Sequence, residues 1–139
     1  MKMKVLLTAI ALFGMSEISS AQRGYTEQTR RDGLTISTKW GKAKDETGTK
    51  RSALLISVVN NEKKAREYSF DILFYYEGIL RETGVIETNC IDGLKSKVGR
   101  LSGTYFIPSK LSDEQLQAPD FGFEIDGVTV KQVEACVQE

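Results

Sequence analysis

Apolar residues recur at every second position along this chain, and that period leaves little room for anything but β-structure. In "LTISTKW", Leu34, Ile36, Thr38 and Trp40 share one side, with Thr35, Ser37 and Lys39 on the other. Tyr68, Phe70, Ile72, Phe74 and Tyr76 alternate with Ser69, Asp71, Leu73 and Tyr75. Successive side chains of an extended chain point to opposite faces, so a spacing of two places one set against a core.

The rest of the chain follows the same logic. "ALLISVVN", Ala53 to Asn60, is rich in branched residues and apolar on both sides, as an interior strand requires. The polar run from Asn60 to Arg66 is a connection, and Glu77-Gly78 is a tight turn leading into the more polar strand "ILRETGVIE". "SGTYFIP" is a short strand closed by Pro108. "LSDEQLQAP" predicts one helical turn, capped by Ser112 with Gln115 three residues on and stopped by Pro119. In "FGFEIDGVTV", alternation on both sides of Asp126-Gly127 predicts a hairpin with a type I′ turn. Six to eight short strands and one helical turn point to an all-β fold, an antiparallel β-sandwich of immunoglobulin-like form.

The N-terminus predicts export. Lys2 and Lys4 precede an apolar run from Val5 to Met15, and Ser19 and Ala21 stand where a signal peptidase needs small residues. That run is too short to span a bilayer as a helix. The alternative is a buried N-terminal helix. Cleavage after Ala21 leaves one domain, residues 22–139, starting at Gln22. It also takes away Lys2, Lys4 and Glu17, leaving 17 basic against 18 acidic residues. That balance gives no global pull toward nucleic acid or anionic lipid. Cys90 and Cys136 are the two cysteines, and an oxidising compartment makes a disulfide between them the expectation. Separate thiols, or pairing with another chain, are the alternatives.

"SVVNNEKKAREYSFDILFYYEGILRETG" resembles the middle of small bacterial extracytoplasmic modules of immunoglobulin-like or fibronectin-III-like type, in the style of FxLYD domains. The positions that carry the resemblance are Asn60, Phe70, Ile72, Phe74, Tyr75, Gly78 and Leu80. The chain departs from the pattern in having no Asp after the Tyr. The resemblance implies a binding or structural module at the cell surface, and it carries over no active residue.

Chemistry is sparse. With no His there is no His base, catalytic triad or His-ligated metal, and the two Cys lack a CxxC spacing. "GLKSKVGRLSG", Gly93 to Gly103, combines three Gly with Lys95, Lys97 and Arg100 but lacks a phosphate-loop ending. It reads as a flexible connection, with an anion-binding loop as the alternative. "KAKDETGTKR", Lys42 to Arg51, is mixed in sign and reads as a solvated loop. Glu82 with Glu87, and Asp113 with Glu114, are candidate acid pairs only if the fold holds them at a catalytic separation. Trp40 fits the core or a sugar-stacking rim.

Leu55, Val59, Leu73 and Tyr75 point away from the core-facing residues of their strands. If those strands are neighbours, the four form a second apolar patch, covered by a terminal segment or open to a protein partner. The sequence therefore predicts a secreted or periplasmic, non-catalytic binding or structural module that contacts a protein partner. It is expected to use no cofactor or metal, bind no nucleic acid, and have no membrane span after cleavage. The alternative is a carbohydrate-binding or weakly catalytic accessory protein.

Overall fold

The computed structural model describes residues 24–137, so the expected export signal and its cleavage site lie outside the described residues. The elements are β1 (Thr26–Arg31), β2 (Leu34–Lys44), β3 (Lys50–Asn60), β4 (Ala65–Tyr76), β5 (Ile79–Ile91), β6 (Ser96–Val98), β7 (Tyr105–Phe106), the helical turn α1 (Asp113–Leu116) and β8 (Phe121–Val133). A 3-10 turn occupies Gly99–Leu101.

The strands form two antiparallel sheets. The first runs β1-β2-β3, and β6 and β7 share the other edge of β3; the second runs β5-β4-β8. The register shows why β6 and β7 lie on one line. Val98 faces Ser57, and Tyr105 faces Leu55. They are two pieces of a single edge strand, and residues 99–104 loop out between them. Thr104 holds the base of that loop, accepting from the Ile56 N–H and donating to the Gly99 carbonyl.

The alternating sets make the core. Leu34, Ile36, Leu54, Ile56 and Val58 of the first sheet pack with Tyr68, Phe70, Ile72 and Phe74 of the second. Burial of side chains this size contributes about 1.5–3 kcal/mol each, so the β4 aromatics are the main reason the sheets close. Phe74 stacks on Phe106 at 5.5 Å and on Phe121 at 6.2 Å, which links β4 to both sheets' ends.

The all-β expectation holds, but the strand order is not that of an immunoglobulin sandwich, in which the second strand neighbours the fifth. Here β2 lies between β1 and β3. The cause is local. The residues read as a solvated loop, 42–51, contain the ends of β2 and β3, joined by a short turn around Asp45. Asp45 Oδ1 accepts from the Thr47 N–H at 2.9 Å, the Thr47 hydroxyl at 2.6 Å and the Thr49 N–H at 3.0 Å. That turn keeps β3 beside β2, so the chain changes sheet one connection later.

Two local expectations divide. The capping box at Ser112 and Gln115 is present, and Glu77 and Gly78 both take positive φ, 55° and 75°, as a type I′ turn needs. The hairpin expected at Asp126-Gly127 is absent: β8 runs straight through it. Ser69 faces Thr129 and Asp71 faces Asp126, so Gly127 and Val128 together oppose Phe70. Gly127 has φ 60°. This is a bulge with glycine in the left-handed conformation, and it keeps Phe123 and Ile125 on the same side as Val128 and Val130. Gly93-to-Gly103, expected to be a flexible connection, contains β6 and the 3-10 turn.

Candidate functional site

The four residues proposed as one apolar patch do not come together. β3 belongs to the first sheet and β4 to the second, so Leu55 and Val59 face outward on one side of the molecule and Leu73 and Tyr75 on the other. Alternation identifies opposite faces of a strand, but it does not say which sheet the strand joins. Leu55 is only 5% exposed. It sits in a small outer cluster with Ala43 and Ala53, covered by Tyr25, Tyr105 and Ile107. The N-terminal arm therefore covers it, through Tyr25. Burial raises the Tyr25 pKa above its ordinary value, and the charge of Arg100 opposes that shift. Tyr75 donates its hydroxyl proton to Glu124 Oε1 at 2.9 Å, and that bond raises its pKa.

The other sequence candidates have structural surroundings. Trp40 packs edge-on against Phe121 and Phe123, with centroids 5.9 and 6.0 Å away, yet remains 37% exposed at the end of the core. Glu82 is buried, and its carboxylate accepts from the Ser109 N–H at 3.0 Å and the Lys110 N–H at 2.8 Å. It ties the segment after β7 to β5. Asp113 and Glu114 lie in the first turn of α1. Cys90 and Cys136 form a disulfide, with Cα atoms 5.6 Å apart. Cys90 lies near the end of β5, opposite Glu67 of β4, and Cys136 follows the end of β8 by three residues, so the bond ties the segment after β8 to the edge strand β5. Among the described residues, no cluster of three or more His, Cys, Asp or Glu is placed to hold a metal, and no helix is long and apolar enough to cross a membrane.

Two adjoining concavities lie at the hairpin end of the first sheet. The Lys44–Arg51 turn and β7 with its continuation border an open cleft of about 510 Å³, to which Tyr105 and Ile107 turn outward while the Phe106 ring packs into the core. Arg51 fixes one wall by donating to the Pro108 carbonyl at 3.1 Å. Asp45 also lies on its rim, and the Thr47 hydroxyl is the main cause of its lowered pKa. A second pocket of about 260 Å³ adjoins it, lined by Lys42, Ala43, Lys44, Lys50, Arg100 and Tyr105. Lys44 and Tyr105 border both.

The chain was compared with protein-family models, curated proteins and solved structures. None matches. The arrangement offers a surface for binding: the outward Tyr105 and Ile107, with the charged and hydroxyl groups of the Lys44–Arg51 turn at the rim. Sequence reasoning missed it because Lys42, Lys44 and Lys50 are interspersed with Asp45 and Glu46 in the same short run. The one available signal was the basic, glycine-rich stretch containing Arg100.

Proposed function

We propose that this chain is an exported, non-catalytic binding module of the cell envelope, and that it binds at the hairpin end of its first sheet. The observation that carries the reading is the open cleft where the outward Tyr105 and Ile107 meet the polar Lys44–Arg51 turn. Ligand sites combine those two features: apolar area for affinity, a few placed polar groups for orientation. The export signal read at the N-terminus and the disulfide support the location. The patch that favoured a protein partner is split between opposite faces, so the ligand's class is argued from the cleft's own chemistry.

The test is site-specific photo-cross-linking in the native envelope. A photoreactive residue replaces Ile107 at the cleft or, as control, Val85, which is 61% exposed on β5 in the second sheet. The reading expects adducts at position 107 and few at position 85. Equal or greater capture at 85 overturns it. Trp40 supplies a second readout, because Phe74 bridges Trp40 at 6.4 Å and Phe106 at 5.5 Å. Filling the cleft against Phe106 should change the fluorescence of this single Trp.

A further inference from the structure

The Cys90–Cys136 bond plays no part in the cleft, and its two sulfurs have unlike surroundings. Both cysteines are partly exposed, and both line an open pocket of about 340 Å³ where the ends of β5 and β6 meet the segment after β8. Lys95 and Lys97 border the same pocket. Lys97 reaches from the first sheet to the second, donating to Asn89 Oδ1 at 2.9 Å. The Cys90 N–H donates to that same oxygen at 2.8 Å. One shared acceptor thus holds the ammonium beside Cys90. Cys136 has the opposite company: its N–H donates to Asp92 Oδ1 at 3.3 Å, which sets a carboxylate next to it. Beyond the bond and that contact, the end of the chain has the exposed ion pair Lys64–Glu134, at 3.8 Å, and Val137 is 87% exposed.

We propose that this disulfide is a site of thiol exchange, attacked at Cys136 by a small anionic thiol that enters the pocket. Exchange begins with a thiolate and is faster when the departing thiol has a low pKa. A nearby cation lowers a thiol's pKa, and a nearby carboxylate opposes a second negative charge. Cys90 is therefore the better leaving group and Cys136 the sulfur attacked. The incoming sulfur bonds to Cys136 Sγ as the Cys90–Cys136 bond breaks, and the bonding pair leaves with Cys90 Sγ as a thiolate. Cys136 then carries a mixed disulfide, and Cys90 is reduced. A second thiolate attacking the bound molecule's sulfur releases the small disulfide and leaves Cys136 reduced as well. Lys95 at the pocket mouth favours an anionic thiol over a cationic one. The consequence is a chain end that is fastened to β5 when oxidised and released on exchange.

The experiment incubates the native protein with glutathione, with cysteamine as a cationic small thiol, and with a reduced CxxC protein dithiol. Samples are quenched with an alkylating agent and mapped as peptides without reductant. With glutathione, the expected product carries the adduct on Cys136 and the alkyl group on Cys90. Its rate should rise in proportion to thiolate and exceed that of cysteamine at equal thiolate. Lys97→Gln should slow adduct formation about threefold or more, and Lys97→Arg should restore it. Asp92→Asn should move part of the adduct to Cys90. A merely structural role for these side chains predicts a changed melting temperature and an unchanged division of adduct between the two cysteines.

A rate that levels off with rising thiol at the rate of global unfolding overturns the proposal, because the bond is then reached only in the unfolded chain. So does an adduct found mainly on Cys90, or a division of adduct that neither Lys97→Gln nor Asp92→Asn changes. Reaction with the protein dithiol and none with glutathione also overturns it, and assigns the bond to a protein oxidoreductase. The pocket lies at the Asn60 end of the first sheet, where the Asn60 N–H donates to the Lys95 carbonyl, and the cleft lies at the other end. Cross-linking at position 107 therefore tests the cleft separately, and failure of one reading leaves the other standing.

Discussion

The Asn60 side chain donates to the carbonyl of Lys64 at 2.8 Å while its Oδ1 accepts from the Glu62 N–H at 3.0 Å. The same amide group also reaches the Ile91 and Asp92 carbonyls, at 3.4 and 3.3 Å. Asn60 is thus the knot where two crossings between sheets, β3 to β4 and β5 to β6, run side by side. The closeness of the crossing shows at Gly93, where an added Cβ would collide with the Lys63 carbonyl.

Asn60→Ala should cost about 2–3 kcal/mol, because it strands buried main-chain groups of both connections without their partners. Asn60→Asp keeps the shape and the acceptor but loses the donor, so it should rescue little. Urea unfolding of the three proteins at one pH measures this. Near-wild-type stability of Asn60→Ala would show that water replaces the side chain freely.

Leu55 and Tyr75, once expected on one patch, should behave differently. Leu55→Ala opens space beneath Tyr25 and Tyr105 and should cost about 2–4 kcal/mol. Tyr75→Ala removes a surface hydrogen bond and partly exposed area, and should cost about 1 kcal/mol or less. Thermal melts distinguish them, and equal losses would contradict the different environments described here.

The Tyr68 ring is fully buried and its hydroxyl makes no well-formed hydrogen bond to the protein. Burial pushes its pKa up to about 12, with the nearby Asn89 side chain opposing the shift. An acid whose folded pKa lies above the unfolded value, here 10, binds its proton more tightly in the folded state. That stabilisation is fully present below pH 10 and is lost as pH rises through about 12. The loss should reach about 2–3 kcal/mol. Tyr68→Phe should flatten this part of the stability profile and leave stability at neutral pH equal or slightly higher. Denaturant midpoints from pH 8 to 12 provide the measurement, and identical slopes for the two proteins would refute the assignment.

The Cys90–Cys136 bond spans 46 residues of sequence. Chain-entropy reasoning assigns a loop of that length about 4 kcal/mol, as an upper-side value. Cys136→Ser should therefore lower the melting temperature sharply. Hydrogen exchange should rise first at the C-terminal end of β5 and in the segment that follows β8, because the bond joins those two. Uniform loosening of both sheets would mean that the bond supports the whole fold instead. Peptide mapping without reductant checks the pairing itself.

Much of the local structure was legible in the sequence because local physics decides it. The spacing of Phe70, Ile72 and Phe74 set their shared face, Ser112 and Gln115 set a helix start, and Glu77-Gly78 set a turn. Each depends only on backbone geometry within a few residues. Asp126-Gly127 shows the limit. A left-handed glycine satisfies both a hairpin turn and a bulge, and the choice depends on whether the residues on both sides find one partner strand. β4 offers thirty-odd ångströms of edge, as a strand of twelve residues does at about 3.3 Å per residue, and β8 pairs along it on both sides of the glycine.

The sheet assignments and the binding surface were decided by tertiary structure alone. Alternation told which side chains of β3 and β4 share a face, but not that Asn60 turns the chain from one sheet to the other. That crossing separated Leu55 and Val59 from Leu73 and Tyr75. The cleft brings the Lys44–Arg51 turn against Tyr105 and Ile107, more than fifty residues further along the chain. In the fold, Asp45 turns its charge inward to its own loop, and the register places Lys44 against Lys50. Charge adds up by distance in space, and only the folded chain sets that distance.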